Sequence, residues 1–200
     1  MSSTKNVLAI TSSIFGEHGE SSKLVERLVK RFEAQGAKIA RRNVTQNIPH
    51  VDAARFKALT SPADQLDDAQ RSVVAFSNAL IAELQAADTI ILAAPMYNFS
   101  IPSQLKSYFD HVARAGITFK YTEQGPVGLL QNKKVYVMTT RGGFYKDTPN
   151  DLETPYLKNL LGFLGLTNLE IIYVEGIGIS AEQKAQAVKA AEAEVDALKI

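Results

Sequence analysis

Apolar and polar positions along this chain alternate between two periods. The solid apolar runs Val7-Leu8-Ala9-Ile10 and Thr89-Ile90-Ile91-Leu92 have the length and composition of strands buried on both faces. Elsewhere the apolar residues recur at three and four. Leu24, Val25, Leu28, Val29 and Phe32 predict a helix over about 21–35, and Gly36 ends it as a C′ glycine would. Residues 37–44 read as a second strand, whose Lys38, Arg41 and Arg42 predict a sheet edge. Residues 45–66, with Pro49 and Pro62, follow no period and read as irregular. A long helix over about 67–86 rests on Val73, Val74, Phe76, Leu80, Ile81 and Leu84. The strand 89–93 leads into a helix over about 102–114, with Pro102 in its first turn. Ile117 to Tyr121 alternates in period two before the turn-rich Thr122 to Pro126, which predicts a small excursion off the sheet. A strand over 134–140, a helix over 151–164 and a strand over 168–174 follow. A last helix is opened by Ser180 and Gln183 as a capping box.

Strand–helix units repeated in this way predict a parallel sheet covered on both faces. Right-handed crossovers make 2-1-3-4-5 the leading strand order, a flavodoxin-like three-layer α/β sandwich. No repeat, linker or low-complexity tract interrupts the pattern, so residues 1–200 read as one domain. The chain has no cysteine, which excludes disulfides, thiolate metal sites and a cysteine nucleophile. His18, His50 and His111 lack metal-ligand spacing, so no metal is expected; His111 reads as a surface or packing residue. A net charge of +1 with interspersed signs gives no basic stripe, and no nucleic-acid partner is expected. No apolar run approaches the ~20 residues of a membrane span. Residues 1–6 lack a signal-peptide apolar core, so the expected location is cytoplasmic.

Three loops should meet at the carboxyl edge of such a sheet: 11–21, 95–101 and 140–147. The crevice opens between the first and third strands, where the strand order reverses. The run Ala93 to Pro102 offers two aromatics, Tyr97 and Phe99, and the carboxamide of Asn98. Its backbone is partly fixed by Pro95 and Pro102, which suits a flat aromatic cofactor. The first loop is rich in hydroxyls and ends at a helix N-terminus, where free N–H groups favour an anion. Neither a P-loop nor Gly-x-Gly-x-x-Gly follows the first strand. A monophosphate held without lysine or metal is therefore expected. The competing reading makes Ser21 or Ser22 a plain N-cap. Glu17 and Glu20 would repel a phosphate if they pointed inward. In the third loop Gly142 and Gly143 let backbone approach a ring carbonyl. Arg141 could set a positive charge beside a ring that becomes anionic on reduction; the competing reading is a solvated arginine on a glycine-rich turn. Gly176-Ile177-Gly178 lacks the third glycine of a nucleotide loop and is set aside, and there is no Gly-x-Ser-x-Gly elbow.

Taken together, five segments resemble the bacterial family of FMN-dependent NADH:azoreductases and NADH:quinone oxidoreductases. They are Thr11-Ser12-Ser13-Ile14, Ala94 to Pro102, Ala113 to Phe119, Thr140-Arg141-Gly142-Gly143 and Leu161-Gly162-Phe163-Leu164-Gly165, in the family's order and at similar spacing. The resemblance covers essentially the whole chain. It implies a homodimer with a non-covalent FMN in each of two interface sites. Phosphate contacts would fall on Ser13 and on Gly19, Glu20 and Ser21. Isoalloxazine contacts would fall on Met96, Tyr97, Asn98 and Phe99 and on Thr140, Arg141, Gly142 and Gly143. Phe99, Tyr121 and Phe163 would line the substrate side. The implied activity is ping-pong hydride transfer from NADH or NADPH, through N5 of FMN, to quinones and azo compounds. No protein nucleophile is required. Two departures stand out: Gly19 replaces a family serine, and the segment Phe56 to Asp67 is shorter and lacks an arginine near Thr60. The second leaves NADH against NADPH open. The alternative is a flavodoxin-like electron carrier, against which the balanced charge argues, since flavodoxins are usually strongly acidic.

Overall fold

A computed structural model describes residues 4–200. The two solid apolar runs form β1 (Asn6–Thr11) and β3 (Thr89–Ala93), flanked by β2 (Lys38–Asn43), β6 (Lys134–Thr140) and β7 (Asn168–Val174). These make a five-stranded sheet in the order β2-β1-β3-β6-β7, with every pairing parallel. This is the expected 2-1-3-4-5 order; the labels differ because a hairpin, β4 (Phe119–Thr122) and β5 (Gly125–Gly128), lies outside the main sheet. β2 is an edge, and its Arg41 and Arg42 bind Glu26, Glu33 and Glu83 on the neighbouring helices.

Helices cover both faces. α1 (Glu20–Ala34) and α6 (Ala181–Ala197) pack Leu24, Leu28, Phe32, Ala191 and Val195 onto Val7, Ala9, Ile91, Ala93, Met138 and Ile172. On the other face α3 (Asp68–Ala86), α4 (Ser103–Val112) and α5 (Glu153–Phe163) bury Leu80, Leu84, Leu105, Tyr108 and Leu161 against Leu8, Ile90, Leu92 and Val137. Alternate residues of each central strand thus face opposite cores, as a strand buried on both sides requires. Among the described residues no helix is long and apolar enough to cross a membrane.

The structure corrects several expectations. The segment 45–66 contains α2 (Ala53–Thr60), capped by the Asp52 carboxylate, which accepts from the Arg55 N–H at 2.8 Å. Two turns with only Ala58 and Leu59 buried are too short to display a helical period. Of the two readings of His111 the structure bears out packing: it is wholly buried, its Nε2 lies 2.9 Å from the Pro49 carbonyl oxygen, and burial pulls its pKa below the usual range. Pro102 is the N-cap of α4, one position before the first turn. At Ser180 only half of the capping box forms, Gln183 N–H to Ser180 Oγ at 3.0 Å; the complete box is Asp67 with Gln70. The hairpin docks on the end of α5 through Leu130 N–H to the Leu164 carbonyl, 2.9 Å.

Candidate active site

The three carboxyl-edge loops are laced together by one serine hydroxyl and by backbone hydrogen bonds. Ser12 Oγ donates to the Ala93 carbonyl at 2.6 Å, joining the first loop to the end of β3. Met96 N–H donates to the Thr140 carbonyl at 2.9 Å, and Arg141 N–H to the Val174 carbonyl at 2.8 Å. Gly176, Ile177 and Gly178 continue the ladder by donating to Gly143, Arg141 and Gly142 at 3.0, 3.1 and 3.0 Å. The segment set aside as a failed nucleotide loop is thus a brace for the glycine-rich loop.

A cavity of about 430 Å³ opens where these loops converge. Seven of the expected cofactor residues line it: Ser13, Gly19 and Glu20 from the first loop, Met96 and Tyr97 from the second, Thr140 and Gly142 from the third. Phe15, His18, Ile177 and Lys184 also line it and were missed. Ile177 is brought here by the backbone ladder to Arg141, and Lys184, which has no local motif, by the packing of α6 beside α1. Tyr97 ties the loops across the cavity: its hydroxyl lies 3.3 Å from Ser13 Oγ and accepts from Ile14 N–H at 3.3 Å.

Asn98 and Phe99 flank the cavity on a tight turn. Both have positive φ, 51° and 65°, and Tyr97 and Ser100 exchange backbone hydrogen bonds of 2.8 and 3.1 Å around them. This is the pattern of a type I′ turn, which asparagine tolerates and phenylalanine adopts only with strain. The Phe99 ring is half-exposed and meets Tyr145 edge to face, with centroids 5.5 Å apart. Gly143 has the Tyr145 ring against its α-carbon, where a Cβ would stand 2.9 Å from it.

The phosphate end differs from the plain N-cap reading. Gly19 is the N-cap of α1, and no side chain caps the helix. Ser21 Oγ and Ser22 Oγ are buried without a hydrogen-bond partner. Unpaired hydroxyls beside uncapped helix N–H groups fit an anionic group. Glu17 points to solvent. Glu20 lines the cavity, but Lys23 and Lys184 reach its carboxylate at 3.1 and 2.9 Å. Burial raises the Glu20 pKa, yet the hydrogen bonds from Lys184 and Lys23 outweigh it, and the group is held below its ordinary value.

Arg141 departs most from expectation. Its side chain is wholly buried and turned away from the cavity lining. The guanidinium meets Asp151 at 3.0 Å, Glu153 at 3.2 Å and Glu175 at 3.4 Å, and lies 4.9 Å from the Tyr173 ring centroid. Glu175 also accepts from Tyr145 and Lys146 N–H at 2.7 and 2.8 Å. Arg141 therefore anchors the loop from beneath. Burial pushes the Glu153 carboxyl up to about 7, against the opposing pull of Thr139 and Arg141, and its Oε1 has no partner.

Tyr121 and Phe163 do not join Phe99. They cluster around Phe119, with centroid distances of 5.4 and 4.2 Å, and neither lines the cavity.

A profile of the flavodoxin-like fold family matches residues 5–198. The FMN-dependent NADH:quinone oxidoreductase of Cellvibrio japonicus is 48% identical over 193 residues, covering 95% of this chain and 96% of its own. That of Alcanivorax borkumensis is 49% identical over 193 residues, covering 95% and 98%. The chain belongs to this family of FMN-dependent NADH:quinone oxidoreductases. Among solved structures of similar fold, the azoreductase of Bacillus anthracis str. Sterne superposes with a TM-score of 0.87 at 26% identity, covering 96% of this chain and 97% of that one. An FMN-dependent NADH-azoreductase from Bacillus anthracis str. Ames Ancestor, solved in complex with FMN, gives 0.82 at 25% identity, covering 96% and 98%. The family's cofactor is thus the kind of group, a flat ring bearing one phosphate, that this cavity's two ends suit.

Proposed function

We propose that this chain binds FMN non-covalently in the carboxyl-edge cavity and catalyses hydride transfer from NADH to quinones, with azo compounds as further acceptors. The observation that carries the reading is the pairing of two ends in one cavity. At one end the uncapped N-terminus of α1 meets it through Gly19 and Glu20, beside Ser13, with the unpaired hydroxyl of Ser21 in the same first turn. At the other, Met96, Tyr97, Thr140 and Gly142 line it and the strained Asn98-Phe99 turn flanks them. FMN, when bound, supplies the acceptance and release of a hydride, chemistry that no side chain offers.

The chain's own residues bind and orient. Ser13 Oγ and the first N–H groups of α1 hold the phosphate. Met96, Tyr97 and the Thr140–Gly143 backbone flank the ring, and Asn98 offers its carboxamide to the ring edge. Phe99 and Tyr145 make an aromatic wall for flat substrates and exclude water. Donor and acceptor occupy this one slot in turn, which makes the kinetics ping-pong, and NADPH enters the same slot as a possible donor. Protons for the reduced acceptor come from water. We place a second copy of the chain against this face. The hairpin carries Tyr121, 74% exposed, and that copy would bring its Tyr121 and Phe163 to the open side of the slot.

The test is an anaerobic absorbance spectrum of purified protein before and after NADH, then after benzoquinone. Bleaching of the flavin band by NADH and its return with quinone is the expected result. Flavin that stays oxidised with both NADH and NADPH would make the protein an electron carrier. Absence of flavin, with none taken up from added FMN, would overturn the reading.

A further inference from the structure

One end of the cavity carries more charge than a phosphate site built from hydroxyls and backbone would need. Glu20 stands in the first turn of α1 with its side chain 13% exposed, among the residues lining the cavity. A carboxylate there competes with a phosphate for the same N–H groups. Two ammonium groups answer it. Lys23, one turn along α1, is a local partner at 3.1 Å. Lys184 comes from the first turn of α6, reaches across to Glu20 at 2.9 Å and itself lines the cavity.

We propose that Lys184 is a specificity-determining residue: it neutralises Glu20, leaves this end of the cavity with a net positive charge, and so makes the site select FMN over unphosphorylated riboflavin. The proposal rests on the reading of the cavity as a flavin site. Two lysines against one glutamate leave the cluster with a single positive charge beside the helix N-terminus, with Lys184 inside the cavity lining and Lys23 outside it. Glu20 stays ionised because the lysine hydrogen bonds outweigh its burial, so the triad is a true ion cluster. An ammonium has three donors, and Lys184, 46% exposed, spends one of them on Glu20 in this structure. Among the described residues its ammonium meets no other carboxylate, and the residue lines the cavity. Lys184 therefore does work usually left to backbone and hydroxyls at a helix N-terminus.

The charge count makes a graded prediction. Apoprotein is titrated with FMN and with riboflavin, followed by quenching of flavin fluorescence. Lys184→Ala is expected to weaken FMN binding about tenfold and Glu20→Gln to tighten it by about the same factor. The double variant, with the original net charge, should return close to wild type, and Lys184→Arg should match it. Riboflavin affinity should stay level across the series, and the spread among FMN affinities should narrow as salt is raised. If riboflavin and FMN weaken in parallel in Lys184→Ala, the lysine is a structural brace between α1 and α6 and the proposal is wrong. An unchanged FMN affinity in Lys184→Ala is equally fatal. Wild-type protein that binds neither flavin would instead remove the flavin-site reading, and the proposal with it.

Discussion

At Gly19, where the resemblance implies a serine, the structure gives a reason for glycine. The backbone there has φ −66°, which any residue can adopt, so conformational freedom is not the reason. Space is: a Cβ at Gly19 would stand 2.2 Å from Ser13 Oγ and 2.7 Å from Ser13 Cβ. Ser13 cannot simply rotate away, because its Oγ accepts from Phe15 N–H and contacts the Tyr97 hydroxyl. Gly19→Ser is therefore expected to destabilise the apoprotein by about 1–3 kcal/mol, read as a lower urea midpoint, and to weaken FMN binding. The strain at Phe99 runs the other way. A positive φ costs a non-glycine residue about 1–2 kcal/mol, comparable to the edge-to-face contact that would be lost. Phe99→Gly should unfold no earlier than wild type in a thermal scan while its kcat/KM for benzoquinone falls. Tyr108 is a third case: it is fully buried with its hydroxyl unpaired, and burial raises its pKa. Tyr108→Phe removes an unsatisfied polar group without changing the ring, and equilibrium unfolding should show a gain of about 1 kcal/mol.

Among the elements, the end of β6 with the start of α5 shows how a loop is aimed by charge hidden below it. One guanidinium is shared by Asp151, Glu153 and Glu175. Removing it would leave carboxylates buried and unpaired. Arg141→Ala should cost about 3–5 kcal/mol, measured by urea unfolding. Glu153 has its own pH signature. Its folded pKa, pushed up to about 7 by burial, lies above that of an ordinary glutamate. The folded protein therefore keeps a proton that the unfolded chain has already lost. The associated stability is complete below the unfolded pKa and disappears as pH rises through about 7. Melting temperatures compared at pH 5 and pH 8 should fall more in wild type than in Glu153→Gln. An equal fall in both would mean that Glu153 is ionised throughout. Arg141 is also where residue-level reading stopped short. An arginine beside two glycines on a sheet-edge loop suggests a ligand contact, and nothing local reveals three acids 10 to 34 positions away that claim it.

For the whole molecule, the sheet order places the first and third strands side by side and so decides where the cavity lies. It leaves Phe99 with Tyr145 and puts Tyr121 and Phe163 around Phe119, a separation within one chain that a second copy would repair. Light scattering is expected to give a dimer mass, and Tyr121→Lys with Leu129→Lys, both on exposed positions, should shift it toward monomer while leaving the far-UV spectrum intact. Read by itself, the sequence determined what depends on neighbours along the chain. Solid apolar runs mean buried strands, three-four spacing means helices, and their alternation leaves few sheet orders once crossovers are right-handed. The hydroxyl-rich first loop, the Met96–Phe99 run and Thr140 to Gly143 were legible for the same reason, since each is contiguous and follows a strand. Only the tertiary structure decided what depends on distant partners. It turned Arg141 inward, made Gly176 to Gly178 a brace, brought Lys184 across to Glu20, and replaced the serine cap of α1 with Gly19. Periodicity reports which face of an element is buried; charge pairing and close approach between elements are properties of the packed molecule, and they appear only when the helices and loops have met.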